Sequence, residues 1–240
     1  MTARKTSHRA RRALSITVGA VLTALIVLGW VFVNWATRRL KVAEAMGCLS
    51  SLKCALDGFA TDFNGEYPSA ETAALVTGRA ARLESSNDYL RQLFLAGETQ
   101  SESIFWVKHS RVTSGRPDDS ITTGGRIDAS EILQPGDCHW AYVSGQFNTS
   151  HRDRPILLDP FVPGTTAFDQ ELWDGKVLAI TIGGSPGKTS MVCPVTASGR
   201  ELLDDAGRDL LSPNSEPWRD SGLDPLKLLK QPEPPRDAAE

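Results

Sequence analysis

ALSITVGAVLTALIVLGWVFVNWAT, residues 13–37, is the stretch whose reading decides the fold. No Asp, Glu, Lys or Arg interrupts it, and no proline occurs from Ala13 to Tyr67. As a helix these 25 residues span roughly 37 Å at 1.5 Å per residue, more than the ~30 Å hydrocarbon core of a bilayer. Trp30 and Trp35 sit toward the far end, where indole rings favour the lipid–water interface. A cleaved secretory signal would have a shorter apolar region of ~7–15 residues and a small-residue cleavage site. The one cut on offer, after Ala36, places Asn34 at a position that should be small. The sequence therefore predicts an uncleaved membrane anchor, ahead of a cleaved signal or a buried core helix.

Working outward, the N-terminal side is basic. Arg4, Lys5, Arg9, Arg11 and Arg12 occur with no acid among them, while Arg38, Arg39, Lys41 and Lys53 follow the span. The acid-free tail favours a cytoplasmic N-terminus and a periplasmic C-terminal domain across a bacterial inner membrane. Inside the span, the small residues Gly19, Ala20, Thr23 and Ala24 offer a face for lateral helix packing.

On the C-terminal side the helical signal continues. Leu40, Ala43, Met46, Leu49, Leu52, Leu56, Phe59 and Phe63 recur at three- or four-residue spacing, with Lys41, Glu44, Lys53 and Asp57 off that stripe. One continuous helix is predicted, its first half in lipid and its second half amphipathic. It ends at Asn64-Gly65, with Pro68 just beyond. Shorter helices are expected at about 70–77, capped by Ser69, and about 87–96, capped by Ser86 and closed by Gly97.

The chain then changes character. Residues 104–107 (IFWV), 138–144 (CHWAYVS), 155–158 (PILL), 176–182 (KVLAITI) and 189–194 read as short strands, the last two as a hairpin around Gly183–Gly187. Residues 110–128 read as a polar, Gly-rich loop. From Pro213 onward the many prolines predict an extended tail. The fold class is α+β: a long N-terminal helix packed on a small antiparallel sheet. The boundaries are a basic tail 1–12, a transmembrane helix 13–37, a periplasmic domain 38–200 and a largely irregular Pro-rich tail 201–240.

Composition narrows the function classes. The net charge of −3 gives no reason to expect a nucleic-acid partner. Gly183 to Thr189 invites a phosphate-loop reading, but the first Gly required by that motif falls on Ile182, and a strand follows where a helix is needed. Asp62, Asn64 and Glu66 alternate oxygen ligands, yet they coincide with a helix end, where such residues serve as cap and turn. No C-x-x-C occurs among Cys48, Cys54, Cys138 and Cys193. In an oxidising compartment, a disulfide between Cys138 and Cys193 is the pairing left open. No G-x-S-x-G is present, and Ser144-Gly145 and Ser198-Gly199 read as turns. No enzyme, cofactor or metal is predicted.

Several segments together resemble the type IV pilin and type II secretion pseudopilin family, closest to its planctomycete–verrucomicrobial type. They are Cys48-Leu49-Ser50-Ser51-Leu52-Lys53, Asp62-Phe63-Asn64-Gly65-Glu66-Tyr67-Pro68, His139-Trp140-Ala141-Tyr142-Val143-Ser144-Gly145, Arg154-Pro155-Ile156-Leu157-Leu158-Asp159, and Trp173-Asp174-Gly175-Lys176 running on to Gly184. In that family a processing peptidase cuts before an apolar helix bearing an acid in its first turn. Here Ala13 and Leu14 stand at the equivalent cut, and Val18 replaces the acid. The resemblance implies a structural or assembly protein of a type II secretion or pilus-like system, with the bilayer, other pilin-like subunits and secretion machinery as partners. The lost acid keeps an alternative open: a membrane-tethered binding or sensor domain that is neither processed nor polymerised.

Overall fold

The computed structural model describes residues 3–79, 82–117, 119, 121–123, 126–184 and 190–235; for 3–21, 123, 126, 190 and 191 the description is of backbone alone. The chain forms two compact units, Met1–Ala43 and Glu44–Glu240.

Helix α1 runs Ala3–Asp62. Its end is built as the sequence requires. Asn64 and Gly65 take the left-handed conformation, with φ of 53° and 87°, and the Gly65 N–H closes onto the Ala60 carbonyl. Of the predicted stripe, Leu49, Leu52, Leu56 and Phe59 are fully buried, whereas Leu40 is exposed. Lys53, expected on the polar side, is 1% exposed. Its ammonium donates to both carboxylate oxygens of Asp57 at 2.6 Å, and the Tyr67 hydroxyl donates to the same carboxylate at 2.9 Å. The i,i+4 spacing lets a lysine stem lie in the core while its charge reaches a half-exposed carboxylate.

Helix α2 spans Ala70–Thr77, with Ser69 accepting from the Glu71 and Thr72 N–H groups, as predicted. Helix α3 spans Ser86–Leu95, and its cap is Ser85, one residue earlier than expected, because Asp88 reciprocates at the third position. Residues 102–105, which overlap the start of the 104–107 segment read as a strand, form a 3₁₀ turn capped by Ser101. An alternation of four large side chains is too short to distinguish the two.

A two-stranded ribbon pairs β1 (Thr122–Thr123) with β2 (Arg126–Ile127). The main sheet contains β3 (Ala141–Val143), β4 (Pro155–Leu158), β5 (Lys176–Thr181) and β6 (Ser190–Pro194), all antiparallel, with a C-terminal strand β7 (Leu229–Lys230) beside β3. The spatial order is β6-β5-β4-β3-β7. The β5–β6 hairpin is present in register; residues 185–189 at its tip, within the region tested against the phosphate-loop motif, lie outside the described residues.

Both faces of this sheet are covered, so its strands read as apolar runs. On one face Ala141, Val143, Leu158, Val177, Ala179 and Cys193 pack with Phe168, Leu202, Leu210, Leu211 and Trp218. Alternating with them, Tyr142, Leu157, Leu178 and Ile180 are equally buried. Tyr142 donates to the Pro68 carbonyl at 2.9 Å and packs its ring 5.5 Å from that of Tyr89 on α3.

The tail corrects the sequence reading. Residues expected to be irregular supply short helices α4 (Glu216–Arg219) and α5 (Pro225–Leu228), followed by β7. Trp218 is fully buried, its indole N–H donates to Leu210 at 2.8 Å, and the Arg154 guanidinium lies 4.6 Å from its ring centroid. Proline here opens turns and helix starts without preventing burial.

The disulfide left open for Cys138 and Cys193 is not formed; both are buried free thiols. Cys193 lies on β6 and Cys138 just before β3, three strand positions away. At about 4.8 Å per strand that places them roughly 14 Å apart, beyond the ~7 Å limit for a bridge. The side chains of Ala13, Leu14, Gly19 and Ala20 lie outside the described residues. Thr23 and Ala24 are exposed.

Candidate functional site

Three loops meet at one end of the sheet. The first follows the 3₁₀ turn: the Ser110 N–H bonds back to Val107, and His109 before it has a φ of 69°, unusual for a residue with a side chain. The second leads into β3, where the His139 N–H donates to the Phe105 carbonyl at 2.8 Å. The third leaves β4 at Asp159, whose own N–H donates to the Leu178 carbonyl. These backbone bonds bring together Ser110, His139 and Asp159, which are 29 and 20 residues apart along the chain.

The side chains form a continuous relay. Asp159 Oδ1 lies 2.7 Å from His139 Nε2. Asp159 Oδ2 accepts from the Trp173 indole N–H at 2.8 Å and the Leu178 N–H at 2.6 Å. His139 Nδ1 lies 2.7 Å from the Ser110 hydroxyl, which accepts from the Val112 N–H at 3.2 Å. An ionised carboxylate only accepts, so the hydrogen between Asp159 and His139 belongs to Nε2. In the neutral imidazole Nδ1 is then the acceptor and Ser110 the donor. Every polar atom of the buried pair has a partner, which makes ionised Asp159 tolerable at 4% exposure. The imidazole is packed edge-on against Trp140, with centroids 4.7 Å apart.

Ser110 and His139 line a shallow surface pocket with Val112, Phe161, Val162 and Leu172. Arg111 at its rim pairs with Asp169 at 2.7 Å and Glu171 at 2.6 Å. Sequence reasoning searched for a Gly-flanked serine and did not single these three out. Ser110 opened a loop read as polar and Gly-rich, and His139 and Asp159 stood inside strand motifs. No local pattern marks a set assembled from three loops.

Two further features bear on function. Ten large apolar side chains between Leu22 and Trp35 are exposed, including Leu25 at 59%, Ile26 at 70%, Trp30 at 69% and Phe32 at 65%. Among the described residues no helix is long and apolar enough to cross a membrane; the side chains of residues 13–21, the first part of the predicted span, lie outside them. His151, Asp153 and Glu216 also gather ligand atoms within 4.8 Å. There His151 already bonds Glu216 at 3.0 Å, with Arg208 3.7 Å from the same carboxylate.

Comparison with protein-family models, with curated proteins and with solved structures returned no match.

Proposed function

We propose that this chain is a membrane-anchored, pseudopilin-like structural or assembly protein of an envelope secretion or pilus-like system, working through protein contacts of its α+β domain. The observation that carries this is the exposed apolar helix surface from Leu22 to Trp35. Burying a large apolar side chain is worth about 1.5–3 kcal/mol. Ten that are half to two-thirds exposed therefore leave on the order of 10–20 kcal/mol of stabilisation available to whatever covers them. Lipid covers such a helix on all sides, and in the sequence residues 13–21 before it are also uncharged. Arg39, whose guanidinium stacks 5.4 Å from the Trp35 ring centroid, suits the interface at the end of the span.

The ordered series of pseudopilin-like segments supports assembly as the role of the tethered domain. Val18, standing in place of the family's acid, favours the second reading, a tethered binding domain that is not polymerised.

Single-cysteine substitutions at Gly19 and Ala24, in a chain whose own cysteines are replaced, test the proposal in native membranes. The expected result is an integral membrane protein that crosslinks to itself or to an envelope complex through these positions. Extraction by carbonate without detergent would overturn the anchor. A membrane-embedded chain that stays monomeric, with no envelope partner, would overturn assembly and leave the tethered domain.

A further inference from the structure

We propose that Ser110, His139 and Asp159 form a hydrolytic site for small uncharged acyl esters, a chemistry independent of how the chain is anchored. The roles follow from the hydrogen-bond directions. His139 Nδ1 is the free base and accepts from the Ser110 hydroxyl at 2.7 Å. Asp159, a positioning residue, holds the proton on Nε2 at 2.7 Å and is itself fixed by Trp173 and Leu178. This is the order of groups that activates a serine: nucleophile, base, and a carboxylate that orients the base. It is reached here with the two ring nitrogens exchanged relative to the serine-protease arrangement.

Access and polarity fit the same chemistry. All three line the pocket, Ser110 half-buried and His139 and Asp159 buried behind it. The neighbouring Arg111 N–H has no internal acceptor among the described residues. It follows the nucleophile in sequence, the place from which an oxyanion donor is drawn in serine hydrolases. The left-handed His109 is the kind of local strain that packed sites maintain around a reactive residue. Val112, Phe161, Val162 and Leu172 make the surface beside Ser110 largely apolar. Arg111 is already paired with two carboxylates, so it is not free to draw in an anionic acyl chain.

The step balances without an external oxidant or reductant. The Ser110 oxygen bonds to the ester carbonyl carbon while its proton passes to Nδ1. The tetrahedral intermediate then breaks its bond to the alcohol oxygen, which takes that proton from Nδ1. Water attacks the acyl-serine, again giving a proton to Nδ1, and release of the carboxylic acid returns the proton to Ser110. Ester and water become acid and alcohol.

The test uses the full-length protein in mild detergent with a fluorophosphonate probe and with 4-nitrophenyl acetate. The expected result is one phosphonylated residue, Ser110, identified by peptide mass spectrometry. A burst of about one 4-nitrophenol per chain should accompany it, as acyl-enzyme accumulation requires. Ser110→Ala should abolish both. A folded wild-type protein with no adduct at Ser110, an adduct at another residue only, or a burst that survives Ser110→Ala would each overturn the site. Mapping on the wild-type chain decides the matter even if the variant does not fold.

Discussion

Replacing Asp159 separates what its carboxylate does for stability from what it does for chemistry. In Asp159→Ala three donors lose their acceptor: His139 Nε2–H, Trp173 Nε1–H and the Leu178 N–H, at 2.7, 2.8 and 2.6 Å in the native chain. Each buried orphan costs about 1–3 kcal/mol, giving a gross loss of roughly 3–9 kcal/mol. Removing a buried charge offsets part of this. The result is still a large fraction of the 5–15 kcal/mol typical of a domain. Asp159→Asn is different in kind. Its carbonyl can keep Trp173 and Leu178, and its amide can donate to His139 Nε2 once the imidazole proton moves to Nδ1. That proton then points at Ser110. Trp173, Leu178 and Nε2 each keep a partner, so the cost should be nearer 1 kcal/mol than the loss in the Ala variant, on the order of one net hydrogen bond. The base, however, is lost, and phosphonylation of Ser110 should slow by roughly 10⁴-fold, the effect of a wrong tautomer in a serine hydrolase. Denaturant unfolding followed by tryptophan fluorescence, run beside probe-labelling rates and ¹⁵N NMR of the His139 ring, reads both quantities. Equal destabilisation by Ala and Asn, or an Asn variant that labels at the wild-type rate, would refute the reasoning.

Trp218→Ala should destabilise the domain by about 3–5 kcal/mol, because its ring is fully buried and its N–H is held by Leu210; a change under 1 kcal/mol in urea unfolding would show that the C-terminal segment is peripheral. Burial pushes the Cys138 and Cys193 thiols up to about 12, so an aromatic disulfide reagent at pH 8 should modify exposed Cys54 and leave both unreacted until the chain is unfolded. Burial, and then the neighbouring Asp62, raise the pKa of Glu98 above the ordinary carboxylate range. The native state then binds the proton more tightly than the unfolded chain, so this contribution is complete below the unfolded pKa and fades as pH rises through the folded value. Glu98→Gln should accordingly raise the melting temperature at pH 7 and leave it unchanged near pH 4; equal shifts at both would refute the linkage.

Some of this protein is legible without coordinates. The Asn64-Gly65 stop, the Ser69 cap and the β5–β6 hairpin follow from φ preferences and local hydrogen bonds, which a few neighbouring residues determine. The α+β class follows from periodicity, since a 3.6-residue stripe through Phe59 gives way to short apolar runs. Lys53 shows where that reasoning stops: its place off the stripe predicted a solvated charge, but the i,i+4 carboxylate of Asp57 and the Tyr67 hydroxyl let its stem be buried. The tail shows the same limit, because proline reports where a helix cannot continue and is silent on whether Trp218 finds a core. The relay of Ser110, His139 and Asp159 depends wholly on tertiary structure. Hydrogen bonds between loops 29 and 20 residues apart are set by which strands lie side by side, and strand order is a property of the packed sheet, to which no single segment of sequence holds the key.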